Sequence, residues 1–416
     1  MNDTFKKYDI IVVGATGFTG RLVVEYLFET YGCSGEVKWA LAGRSAEKLH
    51  ILKSELVQEE KGHSLDVIIC DTLDAVSVQS LVMQTRVICS TVGPYGLYGS
   101  TLVEICAKEG TDYCDLTGEV QWMQKMIGAY QKLAEASGAR IVHACGFDSI
   151  PSDMGVFYCQ QKMKEMHNVV SNSISCRIKK FKGGYSGGTI ASMVAMLDEL
   201  SDDKRLLRKV ADAYALIPEG SQRGNDTRDQ TKAVYDRNFN CWTVPFVMAS
   251  VNMRVVRRSN ALLDFLYGKD FSYNESLLLS ARVGKLKARL VAFSSGLSMK
   301  ALAIKPLRSL ILRNMPAPGE GPSKQRRETG FYNMLFHVSH PTDNSKSFLA
   351  ELYGDRDPGY GSTSKMLGES AVCLAKDQLN CGGGLWTPSS AMGSSLLQRL
   401  QKYAGLHFSI VSKETR

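Results

Sequence analysis

The 416-residue chain lacks most of the short motifs that declare a chemistry. It has no C-x-x-C pair, no H-E-x-x-H, no Walker loop and no nucleophile-elbow G-x-S-x-G with credible partners. Zinc sites, P-loop phosphoryl transfer and serine-hydrolase chemistry therefore have no local support. His143 falls in a strand, and His337 and His340 of "HVSH" fall on opposite faces of an alternating run, so no metal site is expected. No stretch reaches the roughly 18 uncharged apolar residues of a spanning helix. The two longest uncharged stretches, Val87–Val103 and Asn238–Met253, are broken by Gly, Pro or Asn. Met1–Lys7 is polar rather than leader-like, and the eleven cysteines, an odd number, are scattered singly. They read as reduced thiols in a cytoplasmic compartment. Net charge is only +8, too small an excess for a dedicated nucleic-acid binder unless it is concentrated in one place.

The first half of the chain alternates strand and helix. Apolar strand-like runs recur at Asp9–Val13, Val37–Ala42, Leu65–Cys70, Arg86–Thr91, Asp112–Asp115 and Arg140–Ala144, with amphipathic stretches between them. That spacing predicts a parallel sheet with right-handed crossovers, an α/β Rossmann-type domain over residues 1–165. The first strand runs into "GATGFTG". Gly14, Gly17 and Gly20 fit a turn that opens a helix, where free N–H groups and the helix dipole favour an anion, and Thr16, Phe18 and Thr19 line the same loop. The second strand ends in "LAGRSAEKL", where an acid for the ribose hydroxyls is the usual mark of NAD. Arg44 and Ser45 stand there instead and suit a 2′-phosphate, so the expected cofactor is NADP(H); the alternative is a solvated Arg44 beside a helix-capping Ser45. Asp71, closing the third strand, either meets the adenine or caps the next helix.

Six further segments carry a resemblance. "STVGPYGLYGSTLVEICAKEGTDYCDLTGE" (90–119) and "HACGFDSIPSDMG" (143–155) follow the glycine loop, and "SGGTIASM", "PAPGEGPSKQRRETGF", "GDRDPGYGSTSKMLGESAVCLA" and "WTPSSAMGSSLLQRL" come later in order. The series resembles the saccharopine dehydrogenase-like oxidoreductases, a group that includes bacterial trans-acting enoyl reductases, and the resemblance runs through the whole chain. It implies an NADP-dependent oxidoreductase fold. Its characterised relatives imply reduction of a carbon–carbon double bond on a lipid or polyketide chain.

Ser90, Thr91, Gly93 and Pro94 at the end of the fourth strand should lie along the pyrophosphate and nicotinamide ribose. Tyr95 and Tyr98 are candidate proton donors beside the nicotinamide, or packed walls of the pocket. Asp115, Glu119, Asp148 and Asp153 bring four carboxyls near the strand ends. Capping is the plain role for each, and Asp148 is the candidate catalytic carboxyl among them.

From about Asn172 the pattern changes to "NSISCRIKKF", "FYNMLFHVSH" and "SFLAELYG", half-exposed strands of an antiparallel or mixed sheet. An α+β substrate or oligomerisation domain is expected over 166–370, with a flap at Asn314–Gly330. A C-terminal segment, 371–416, is expected to return toward the first domain. Between Glu275 and Glu320 there is no acid but eight cations, Arg282, Lys285, Lys287, Arg289, Lys300, Lys305, Arg308 and Arg313, interleaved with leucines at helical spacing. This segment reads either as a buried helix pair with solvated lysines or as a peripheral surface for an anionic membrane or lipid droplet.

The expected function is NADP(H)-dependent reduction of a carbon–carbon double bond, or a carbonyl, on a lipophilic acyl, polyketide or isoprenoid-like substrate. The rivals are a dehydrogenase of amino-acid conjugates and a lipid-associated scaffold that holds NADP without turnover. Nucleic acid is not an expected partner; a second copy of the chain is left open.

Overall fold

The computed structural model describes residues 6–411 apart from 34, 58–64, 185, 227, 314 and 318. Its first sheet is wholly parallel and contains β1 (Tyr8–Val13), β2 (Trp39–Gly43), β3 (Asp66–Ile69), β4 (Thr85–Ser90), β5 (Asp112–Asp115), β6 (Arg140–Val142) and the late strand β13 (Gly384–Trp386). The order is β13-β6-β5-β4-β1-β2-β3, so the strand order reverses between β1 and β4. β1 and β2 are buried along their whole length. A parallel sheet covered on both faces demands near-continuous apolar runs, and "IIVV" of β1 and "WALAG" of β2 supply them.

One face is covered by α3 (Ala75–Val82), α5 (Ser100–Glu109) and α6 (Val120–Ser137). The other carries α1 (Phe18–Tyr31), α2 (Ala46–Val57), α7 (Ile150–His167), α14 (Thr363–Lys376) and α15 (Pro388–Tyr403). Its apolar core runs on without a break into the second sheet, from Ile10 and Val12 through Met154 and Leu367 to Cys176 and Phe336. Glu369, fully buried in α14, accepts hydrogen bonds from Tyr26 and Tyr31 of α1 at 2.6 Å each and an ion pair from Arg399 of α15 at 3.2 Å. Late residues are thereby fastened to the first sheet.

The second sheet has the order β14-β12-β11-β7-β10-β9-β8, built from β7 (Ser173–Lys182), β8 (Val234–Asp236), β9 (Cys241–Val244), β10 (Ser272–Leu278), β11 (Phe331–Ser339), β12 (Phe348–Gly354) and β14 (Leu406–Val411). It is mixed. β7 is antiparallel to β11, as its alternation suggests, but parallel to β10 on its other side. The tail divides: β13 extends the first sheet, whereas β14 pairs antiparallel with β12 in the second rather than turning back to the first. Leu406 and Phe408 of β14 are buried, and the second sheet offers the open edge that they cover.

The remaining helices are α4 (Tyr95–Tyr98), α8 (Gly187–Asp202), α9 (Lys204–Ala211), α10 (Ala249–Leu262), α11 (Lys285–Ala303), α12 (Lys305–Leu312) and α13 (Lys324–Glu328). α13 lies in the loop expected as a flap, of which 314 and 318 fall outside the described residues. α10 is unusual in burying three arginines, Arg254, Arg257 and Arg258. They donate to the carbonyls of Val210, Ala213 and Leu216, pinning the segment after α9 against the helix. Arg257 also pairs with Asp226 at 2.6 Å.

Candidate active site

The site is laid out by register. Val13, Ser90 and Asp115 are neighbours across β1, β4 and β5, so the loops that follow them open side by side on one edge of the sheet. That edge lies at the strand-order reversal, where open α/β sheets take their ligands.

The glycines of the first loop do different work. Gly14 has φ +84°, and a Cβ there would sit 2.8 Å from Thr91 Oγ1; at Gly20 it would sit 2.1 Å from the Gly14 carbonyl. These two are required by the turn itself. Gly17 is exposed, has ordinary extended geometry, and a Cβ on it would meet only the Gly14 carbonyl at 3.2 Å. No side chain caps α1 behind it, so the first-turn N–H groups at Phe18 and Thr19 face the cleft with Thr16 alongside. Within the fold a side chain at Gly17 would press only on the Gly14 carbonyl, so the position is left open on the ligand side, as the expected phosphate-binding loop needs. Thr91 Oγ1 donates to the Val13 carbonyl at 3.1 Å and holds the loop against β4.

Arg44 follows β2, is exposed, and has no ion-pair partner among the described residues. Ser45 accepts a hydrogen bond from the Lys48 N–H at 3.3 Å, so its side chain caps α2 while Arg44 stays open for a ligand. Asp71 accepts from Leu73 N–H at 3.1 Å in a local turn, and Asp74, not Asp71, caps α3. The NADP(H) group fits these residues: an uncapped helix start, a bare glycine facing it and an unpaired guanidinium one strand away.

The turn after β4 is built differently from its sequence expectation. Gly93–Pro94 is a cis peptide. Tyr95 is buried, stacks near Trp122 at 5.3 Å, and donates its hydroxyl to the Ser90 carbonyl at 3.1 Å. Burial pushes its pKa well above the usual phenol range. Tyr95 is therefore placed as a post that braces β4, the arrangement of the packed alternative. Tyr98 is half-buried at the end of the same short helix. Glu119 accepts from Tyr95 N–H at 2.8 Å and Gly96 N–H at 2.9 Å, clamping the turn onto α6. Gly93 is the exposed point of the turn, and a Cβ there would come within 3.2 Å of Ser192 Oγ on α8.

Of the four carboxyls, three are committed to structure. Asp115 accepts from Thr117 N–H and Ala144 N–H at 3.1 Å each and from His143 Nδ1 at 2.7 Å, holding Ala144 in the left-handed region at φ +61°. Glu119 makes the clamp just described. Asp153 is fully buried and ties α7 to α10 and α15 through Ser259 Oγ at 2.5 Å and Ser389 N–H at 2.8 Å. Asp148 has no such partners among the described residues. It is half-buried, its carboxyl facing Gly118 beside Met248, and its pKa is raised to about 7 by burial first and the Asp115 charge second.

The second sheet supplies the front wall. Asp357 caps a single π-helical turn, Pro358–Ser362, which presents Tyr360. The Tyr360 ring meets Phe18 edge-on at 5.1 Å, and its hydroxyl accepts from Ser186 N–H at 2.5 Å and pairs with Thr189 Oγ1 at 2.6 Å. Arg327 lies over the outer face of Phe18 at 5.6 Å. One phenol thus joins the dinucleotide loop to the start of α8. Tyr360 has no signal in the sequence beyond the run "DPGYG", which marks a tight turn but not its destination. A separate cavity of about 460 Å³ beside β8–β10 is lined by Arg177, Asp226, Asp236, Arg257 and Glu275 among others, and includes none of the expected site residues. Arg177 and Arg257 are already paired there with Asp236 and Asp226.

A parallel sheet with a phosphate cradle at its order reversal, backed by a mixed sheet that walls the cleft, defines a nicotinamide-dependent oxidoreductase of the two-sheet kind. Residues 10–142 match the family model of the saccharopine dehydrogenase NADP binding domain. A Mycobacterium tuberculosis protein provisionally named a trans-acting enoyl reductase is 38% identical over 419 residues, covering 96% of this chain and 97% of that protein. The trans-acting enoyl reductase of Mycobacterium ulcerans is 34% identical over 421 residues, with the same coverage. The chain belongs to the saccharopine dehydrogenase-like family of NADP-dependent oxidoreductases, together with the proteins named trans-acting enoyl reductases. Its fold is shared with saccharopine dehydrogenase (L-Glu forming) from Saccharomyces cerevisiae, at TM-score 0.51 and 12% identity over 97% of this chain and 100% of that one.

Proposed function

We propose that the chain reduces the carbon–carbon double bond of a lipophilic enoyl substrate, with NADPH bound along Gly14–Gly20, Arg44 and Ser90–Pro94. The observation that carries this reading is Asp148, a half-buried carboxyl with a pKa of about 7, no side-chain hydrogen-bond partner among the described residues, and a place beside Gly118 in the loop that follows β5. When bound, NADPH supplies the hydride. Asp148 in its acid form delivers the proton to the neighbouring carbon and regains it from water. Burial leaves about half of these carboxyls protonated at neutral pH, where an ordinary aspartate would have lost its proton.

The relatives at 34–38% identity favour enoyl reduction over amino-acid-conjugate chemistry, since the saccharopine dehydrogenase likeness, at 12% identity, extends to fold alone. The buried cations of α10 give that rival no help. Arg254, Arg257 and Arg258 are spent on backbone carbonyls and on Asp226 and Asp229, and none is left to take a substrate carboxylate.

The test is NADPH consumption with a series of α,β-unsaturated acyl thioesters of increasing chain length. Turnover that rises with chain length and falls at least a hundredfold in Asp148→Asn, with NADPH affinity unchanged, supports the reading. NADPH binding without turnover on any enoyl or carbonyl substrate would leave the scaffold.

A further inference from the structure

α11 and α12 form a bent pair whose axes meet at 103°, and no single helix among the described residues is long and apolar enough to cross a membrane. The pair is not buried. Leu286, Leu290, Phe293 and Leu297, spaced four, three and four residues apart on one face of α11, are 83%, 65%, 69% and 57% exposed. Ile304 at the bend and Leu307 and Leu310 of α12 continue the apolar surface. Only Ala288 and Ala292 of α11 are buried, so the larger apolar side chains face outward and the small ones inward, the reverse of a core helix.

Seven of the eight cations, Arg282, Lys285, Lys287, Arg289, Lys300, Lys305 and Arg313, are exposed and have no ion-pair partner among the described residues. Arg308 is the exception. It is buried and bonds Asp198 of α8 at 2.7 Å, fastening α12 to the helix whose Ser192 abuts Gly93 in the cleft turn. The polar side chains between the leucines need no water. Ser294 and Ser295 donate to the Val291 carbonyl, Ser298 to Ser294 and Ser309 to Pro306, at 2.9–3.0 Å. Hydroxyls satisfied within their own helix can enter an apolar medium at little cost.

We infer that α11–α12 is a docking face for an anionic phospholipid bilayer, with Leu286, Leu290, Phe293 and Leu297 entering the acyl boundary and the seven exposed cations resting on the headgroups. A nucleic acid would satisfy the cations but leave the four large apolar side chains in water. A bilayer satisfies both. The face is carried by α8 beside the cleft, so a hydrophobic substrate reaches Asp148 without crossing bulk water; that consequence, unlike the docking itself, rests on the proposed reductase reading.

The test is flotation of the full chain with vesicles of phosphatidylcholine alone or mixed with phosphatidylglycerol. Each basic residue at an anionic surface multiplies partition roughly fivefold. Flotation with the mixed vesicles at low salt is expected, lost in high salt and on neutral vesicles, and weakened roughly 25-fold by Lys287→Ala with Lys300→Ala. Leu290→Ser with Phe293→Ser should abolish it. A protein that stays in the soluble fraction, or that floats equally well with Leu290→Ser and Phe293→Ser, overturns the inference. So does sedimentation showing a dimer that the same two serine substitutions dissolve, which would assign the face to a second copy of the chain. NADPH turnover on a short, water-soluble enoyl thioester should be unchanged in all these variants. Loss of flotation and failure of the reductase reading are therefore read in separate assays.

Discussion

Arg44→Ala should remove most of the preference for NADPH over NADH while leaving NADH affinity intact. Arg44 sits just past β2 as the proposed charged contact to the 2′-phosphate, while its neighbour Ser45 accepts the Lys48 N–H and keeps its own O–H to donate as a second, weaker contact. A charge-assisted pair contributes about 1.5–3 kcal/mol, and Arg44 is exposed, which places it near the lower figure after solvent screening. The expected loss is therefore about 1.5 kcal/mol, roughly tenfold in NADPH affinity. Titration of both dinucleotides by protein fluorescence, at fixed ionic strength, reads it directly. The shift should shrink as salt is raised, because the pair lies in water. Equal wild-type affinities for NADPH and NADH would refute the reasoning, and so would an Arg44→Ala variant that keeps its preference.

Gly17→Val should fold with near wild-type thermal stability and lose dinucleotide binding, whereas Gly20→Val should fail to fold stably, its Cβ 2.1 Å from the Gly14 carbonyl; circular dichroism with cofactor titration separates the two. Turnover should fall as pH rises through about 7, as Asp148 loses its proton, and Asp148→Asn should flatten that limb of the profile along with the rate. Because the folded-state pKa of Asp148 is raised from 3.8 to about 7, its contribution to stability is whole below pH 3.8 and lost as pH climbs through 7. Asp148→Asn should therefore raise the melting temperature at pH 8 and do so less at pH 5. Asp153→Ala should cost about 1–3 kcal/mol in urea unfolding, since it strands the buried Ser389 N–H, whereas the Ser259 hydroxyl keeps the Val255 carbonyl and Thr387.

The contrast between Asp148 and Asp153 shows how far the sequence could be read. The first sheet was legible because buried parallel strands have no solvent side: "IIVV" and "LAG" are apolar at every position, and the glycine loop follows the first of them directly. The glycine turn into α1 was legible for the same local reason, and Gly14 and Gly20 are required by it. Asp148 and Asp153 flank the same "SIPS" and look alike in sequence, yet one is tied down and the other is not. What ties Asp153 lies 106 and 236 residues away, at Ser259 and Ser389, and no local pattern reports it. Tyr95 was ambiguous for a related reason, because the acceptor of its hydroxyl is a backbone carbonyl, and carbonyls carry no side-chain signature. The three arginines of α10 are the extreme case: charged residues at core positions, answered by the carbonyls of a segment about 40 residues earlier in the chain. The same limit makes the exposed leucines of α11 informative. A buried arginine is hidden from sequence by its distant partners. A leucine row that the fold leaves uncovered has found no partner among the described residues, and the proposed bilayer is what would supply one.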